Sequence, residues 1–315
     1  MNFKTTDGVV HELNKDLRNA LKPGWAEMLK PAKPREFTST SYNFMPMLSV
    51  CERALEEIGE TLVGKDIMEA GCGFGQRCYL MAKYERTRVK GTDVDEYTIN
   101  QSPDLNVWSP NDCWFVHDKI NNVRVSVGKR FPESVRSKVT FDTVGLEDYE
   151  TPVLHDMIIS FDVLEHVLDL DRAFMRMASS VKAGGLLYHE YNPFFSIDGG
   201  HSLCTLDFHY GHCRLTGEDF ERYIRDIRPQ EEKIAINFFH KCLNRFTRKD
   251  ILDMSDKHGF DIIHTVTTYP FQTPRGKMEA QLGKDVLPDV KKLYPTAEVE
   301  DLLFNSVQLV MRRRG

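Results

Sequence analysis

The segment that most constrains this chain is Glu69-Ala70-Gly71-Cys72-Gly73-Phe74-Gly75, where a short apolar stretch over residues 65–70 gives way to a helical pattern running through Tyr84. Glycines at alternate positions let a backbone turn sharply from strand to helix, and let it approach a ligand where a Cβ would collide. The third glycine stands at Gly75, one position earlier than a dinucleotide fingerprint requires, and Gln76 fills the place where that fingerprint needs a small residue. Asp93 closes the next apolar stretch, 18 residues beyond Gly75, where a carboxylate can accept hydrogen bonds from both hydroxyls of a ribose. The pattern predicts a strand, loop, helix and strand that hold a nucleoside, not a dinucleotide.

The same alternation continues. Residues 88–93, 139–144, 157–161 and 186–191 read as further strands. A helix carrying Leu170, Phe174, Met177 and Val181 on one face separates the last two and ends at Ala183-Gly184-Gly185. Thr247 caps a helix that Gly259 ends, and residues 261–269 and 304–311 complete the strand pattern. Strands alternating with helices imply a parallel sheet with right-handed crossovers, a doubly wound Rossmann-like α/β fold. Two stretches interrupt it: residues 101–138, with Trp108 and Trp114, after the second strand, and residues 193–247 after the fifth. The expected organisation is an N-terminal helical cap (1–60), a cofactor-binding core (61–192), a lid insertion on the substrate side (193–247) and a segment completing the sheet (248–315). Within the cap, a helical pattern over residues 11–30 breaks at Pro23-Gly24, and residues 31–46 read as a surface loop.

Composition narrows the function classes. The 315 residues carry 41 Lys+Arg against 47 Asp+Glu, a net charge of −6, so no basic field points to nucleic acid. No apolar run approaches the roughly 18 residues of a membrane helix, and residues 1–10 lack the apolar stretch of a signal peptide. Seven scattered cysteines without a Cys-x-x-Cys pair match no disulfide framework and suggest a reducing cytoplasm.

Four motifs in order resemble the class I S-adenosylmethionine-dependent methyltransferases, in particular those related to the ubiquinone-biosynthesis enzymes. They are Glu69-x-Gly71-x-Gly73-x-Gly75, Gly91-Thr92-Asp93, Asp162-Val163-Leu164-Glu165-His166-Val167 and Ala183-Gly184-Gly185-Leu186-Leu187. The resemblance implies a methyltransferase with S-adenosyl-L-methionine as cofactor, held by Glu69, Gly71, Gly73 and Gly75, with Asp93 on the ribose. The family's acid after the third strand is missing from Gly145-Leu146-Glu147, which leaves Leu146 and Glu147 as the expected adenine contacts. Phe161 and Asp162 complete the expected cofactor set, and His166 beside Glu165 is the base that the family pattern suggests.

The acceptor end is read from residues. His189-Glu190-Tyr191 and the stretch from His201 to Arg214 gather aromatics, histidines and an arginine at the carboxyl edge of the sheet. Tyr191 and His201 join the catalytic candidates, and His189, Glu190 and Arg214 the substrate-binding ones. His201, Cys204, His209, His212 and Cys213 have ligand chemistry, but their spacing matches no closed zinc pattern, and no metal is expected. Arg214, with Arg222 and Arg225, favours a small carboxylate-bearing metabolite. Two chemistries stay open: a hydroxyl on a sugar or small acid with His166 as base, or a thioether such as that of methionine, which needs no base. Outside methyl transfer, the rivals are an inactive nucleoside-binding regulator and a nicotinamide oxidoreductase. Neither the compartment beyond the cytoplasmic expectation nor an oligomeric state follows from these residues.

Overall fold

The computed structural model describes residues 1–23, 45–94, 124–268 and 274–315. Nearly all of the loop expected over 31–46 and most of the insertion carrying Trp108 and Trp114 lie outside the described residues. The chain opens with an antiparallel hairpin, β1 (Asn2–Lys4) and β2 (Val10–Glu12), then the short helix α1 (Leu17–Leu21). The first residues of the expected helical cap are therefore extended. Asp7-Gly8 is the reason: Gly8 takes φ of 92° and Thr5 N–H donates to Val9 O at 2.8 Å, closing a tight turn.

From α2 (Met45–Glu57) onward the expected rhythm holds. α2 buries Leu48, Cys51, Ala54 and Leu55 against the sheet. Next come β3 (Asp66–Ala70), α3 (Gln76–Met81), β4 (Arg88–Asp93), β5 (Val139–Thr143), β6 (His155–Phe161), α4 (Leu170–Ser180) and β7 (Val181–Tyr191). α4 starts where Asp169 accepts from Arg172 N–H, and buries Leu170, Ala173, Phe174 and Met177 at helical spacing. The central strands are buried on both faces, as parallel strands between two helical layers must be.

Residues 193–247 are mostly helical, including α5 (Gly217–Ile227) and α6 (Glu232–Lys241). They form a core of their own: Phe194, Phe195, Phe220, Tyr223, Phe238 and Phe239 pack with Phe3 and Leu13 of the N-terminal segment, and the Phe220 and Phe239 rings stack at 3.9 Å. After α7 (Arg248–Lys257), opened by a complete capping box at Thr247, come β8 (Phe260–Thr268), the long helix α8 (Pro274–Leu293) and β9 (Ser306–Arg313). Val286 and Val290 of α8 close the helical core from the other side.

The seven-stranded sheet runs β5-β4-β3-β6-β7-β9-β8, parallel except for β9, which pairs antiparallel with both neighbours. The chain leaves β3 towards β4 and β5 on one side, then returns to β6 on the other. Ligands of open α/β sheets bind at such a reversal, outside the carboxyl ends of the strands.

Candidate active site

A cleft of about 260 Å³ opens at that reversal, lined by the glycine loop, Asp93-Val94, Val144–Glu147, Asp162-Val163 and His166-Val167. Three glycines shape it in different ways. Gly71 has φ of 64°, and a Cβ there would stand 2.2 Å from Val163 Cγ2. Gly75 has φ of 73°, and its Cβ would meet the Phe141 ring at 2.4 Å; it lies behind the cleft, not in its lining. Gly73 has φ of 50°, but a Cβ there would find no protein atom within 4 Å.

Asp93 stands at the end of β4 facing this loop. Its carboxylate accepts from Gly73 N–H at 2.7 Å and Val94 N–H at 2.8 Å, and burial raises its pKa to about 6. Arg124 holds the loop from the opposite side, donating to Gly73 O at 2.9 Å. Across the cleft, Leu146 is 5% exposed and offers an apolar wall with Val94 and Val144. Glu147 lines the cleft, and its Oε1 accepts from Leu168 N–H at 3.0 Å, pinning the loop before α4.

Two of the expected cofactor contacts are displaced inward. Glu69 is fully buried and sits outside the cleft lining; it accepts from Arg77 Nε at 2.5 Å. Phe161 is buried under the same arginine, whose guanidinium lies 4.7 Å over its ring. Arg77 itself lines the cleft, opposite Asp162. It went unnoticed in the sequence, although a cation in the first turn of a helix opposes the helix dipole and calls for a partner. Asp162 is held in a left-handed backbone with φ of 55° and accepts from Asn192 Nδ2 at 2.9 Å. Burial raises its carboxyl, against the nearby Arg77 charge.

His166 also lines the cleft and donates from Nδ1 to Cys242 O at 2.5 Å. The carbonyl can only accept, so the proton is on Nδ1. Burial lowers His166 to about 4, lowers His201 well below the ordinary histidine value and raises Glu165 well above the carboxylate range. The His166 and His201 rings lie 5.2 Å apart, and the helical layer delivers His201 to this point.

Four expected residues lie elsewhere. His189 is a core histidine, bonded through Nδ1 to Ser160 Oγ at 2.7 Å within the sheet. Tyr191 is buried among Phe304 and Val307, beneath the sheet. Glu190 is half-buried next to Tyr188, whose hydroxyl donates to it at 3.3 Å, and does not line the cleft. Arg214 pairs with Asp289 at 3.0 Å and lines a separate cavity with His11 of the hairpin. Of the histidine- and cysteine-rich stretch, Cys204 and Cys213 donate to main-chain carbonyls inside the helical core, and His212 bonds to Phe194 O. Each acts locally.

A family model described as a methyltransferase domain matches residues 43–265. The chain belongs to the methyltransferase-domain family. It is an S-adenosylmethionine-dependent enzyme of class I architecture, with S-adenosylmethionine as cofactor. Among solved structures, it is similar to an S-adenosylmethionine-dependent methyltransferase from Mesorhizobium loti, at 16% identity over 83% of this chain and 96% of that one, with a TM-score of 0.47. It is also similar to geranyl diphosphate methyltransferase in complex with S-adenosylmethionine (14% identity, 84% of each chain, TM-score 0.43). A third likeness is to phosphoethanolamine N-methyltransferase 2 of Haemonchus contortus (16% identity, 84% of this chain, 52% of that one, TM-score 0.43). No curated protein sequence matches. Among the described residues of the methyltransferase no helix is long and apolar enough to cross a membrane, and the six cysteines are free and buried.

Proposed function

We propose that the cleft at the β3/β6 reversal transfers the cofactor's methyl group to a small polar metabolite, and that each lining residue has one part in holding the two reactants. The observation that carries this reading is the pairing of Gly73 with Asp93: an open space above a positive-φ glycine, bounded by a carboxylate aimed along the loop. Asp93 fits the ribose hydroxyls, the apolar wall of Val94, Val144 and Leu146 fits the adenine, and Arg77 with Asp162 offers opposite charges for the carboxylate and ammonium of the amino-acid part. The bound cofactor supplies an already activated methyl on a sulfonium. The protein therefore has to align the acceptor and exclude water, and His166 in the cleft lining, with Glu165 and His201 close beside it, offers polar groups that can meet an acceptor. The carboxylate expected on the acceptor loses its anchor, because Arg214, Arg222 and Arg225 are all paired with acids away from the cleft.

Calorimetry with S-adenosylmethionine, followed by an acceptor panel read by mass spectrometry for the gain of one methyl, tests the reading. Binding without any methyl gain would leave a nucleoside-binding protein, and no binding would overturn the site.

Asp93 gives two further expectations. Asp93→Ala removes a charged acceptor and should weaken cofactor binding by about tenfold to a hundredfold, or 1.5–3 kcal/mol, without unfolding the chain. Hydroxyl donors favour the ionised carboxylate, which is present above a pKa of about 6 and lost below it. Affinity should therefore be level above pH 7 and fall through pH 6 by up to about tenfold per unit, with proton release on binding near pH 6. Asp93→Asn should flatten the profile; an equally steep fall in that variant would assign the proton elsewhere.

A further inference from the structure

Glu165, His166 and His201 each offer one ligand atom, and the three atoms lie within 4.8 Å of one another. Two of those residues hold orphaned atoms. Glu165 Oε2 and His201 Nε2 are buried with no hydrogen-bond partner, and Glu165 as a whole is 2% exposed. A buried polar atom left unsatisfied is costly, more so when it can carry charge, so two of them on residues of one cluster point to a shared occupant.

The remaining bonds orient these groups as ligands. His166 donates its Nδ1 proton to Cys242 O at 2.5 Å, so the lone pair of the neutral ring is on Nε2. The Asn192 N–H holds Glu165 Oε1 at 3.3 Å. Metal-binding imidazoles carry this kind of carbonyl contact on their second nitrogen, and ligating carboxylates are held by hydrogen bonds in the same way.

We propose that Glu165, His166 and His201 bind one divalent transition-metal ion, of the zinc or iron(II) class, at the junction of the helical layer and the cleft. Two imidazoles and one carboxylate suit a borderline ion; magnesium and calcium take oxygen-only sets. Three protein ligands leave at least one position open, and His166 puts that position on the cleft side. The helical layer supplies His201 and with it the third ligand, so the ion site exists only when that layer is packed on the sheet. An oxygen of the acceptor bound at the open position would be held in place and acidified, which directs the enzyme to hydroxyl-bearing acceptors. This last role rests on the methyl-transfer reading above, whereas the ion site does not.

The test uses full-length protein stripped with a chelator, titrated calorimetrically with Zn²⁺ and separately with Co²⁺, whose visible bands report its ligands. One ion per chain is expected, with affinity reduced roughly a hundredfold or more in His201→Ala and Glu165→Gln. His201→Asn serves in place of His201→Ala if circular dichroism shows the alanine variant unfolded. No Zn²⁺ binding by wild type, equal Zn²⁺ binding in all variants, or a preference for Mg²⁺ over Zn²⁺ would overturn the site. A wild type that binds Zn²⁺ but not S-adenosylmethionine would support the ion site and overturn the methyl-transfer reading.

Discussion

Gly73→Val is expected to abolish cofactor binding while leaving the methyltransferase folded. The side chain would enter the one part of the glycine loop where a Cβ meets no protein atom within 4 Å, directly beside the Asp93 carboxylate that receives the Gly73 N–H at 2.7 Å. Valine at φ of 50° strains the backbone by an amount of order 1–3 kcal/mol, which a domain stable by about 5–15 kcal/mol survives. The loss of affinity should exceed about a thousandfold, or 4 kcal/mol, because the branched side chain occupies the ligand's own volume. Gly75→Val provides the contrast, since its Cβ would stand 2.4 Å from the Phe141 ring and the damage falls on packing. That variant should melt well below wild type. Thermal unfolding and calorimetry on both proteins separate the two effects, and wild-type affinity in a folded Gly73→Val would remove the loop from the site.

The contrast between those two glycines shows what was legible in the sequence. Alternating apolar stretches and glycine stops identified every strand of the central sheet, because a doubly wound fold repeats one local signal and places the site at a fixed point of its topology. Gly71, Gly73, Asp93, Leu146, Glu147, Asp162 and His166 all line the cleft as a consequence. Residue type alone could not say which way a side chain points. Glu69, Phe161 and His189 alternate along strands whose two faces are both covered, so each turned into the protein. Arg77 and the helical layer illustrate the opposite failure. Arg77 faces the cleft through its pairing with Glu69, a contact eight positions back along the chain, and no single-residue preference encodes it. The helix over Pro274–Leu293 escaped notice because Gly276, Gly283 and Pro288 interrupt its pattern. Gly283 has a packing reason: a Cβ there would come within 2.9 Å of Leu303. The aromatic and histidine stretch after β7 predicts a pocket wall, yet most of it builds the core of the helical layer, and His201 lies beside His166.

Glu231→Gln should be among the most destabilising single changes in the chain. Glu231 receives Arg18 in a bidentate pair, with Nη1 to Oε1 and Nη2 to Oε2 both at 2.7 Å, and the side chains are 2% and 0% exposed. The glutamine keeps the shape but leaves a buried guanidinium without its counter-charge, which costs about 3–5 kcal/mol and lowers the melting temperature by roughly 5–15 °C. The pair also couples three separate stretches of chain. Arg18 comes from α1, Glu231 from the turn before α6, and Arg18 Nε donates to Ser202 O at 2.9 Å, one residue after His201. Loosening the pair therefore releases the backbone that carries His201 as well as the N-terminal segment. An apolar replacement of both partners, Arg18→Met with Glu231→Leu, should recover part of the stability because no unpaired charge stays buried, although Ser202 O then lacks its donor. A double-mutant cycle on melting temperature measures the coupling. Single variants that cost as little as a surface pair, below about 1 kcal/mol, would show that the N-terminal segment is not fastened to the helical layer by this contact.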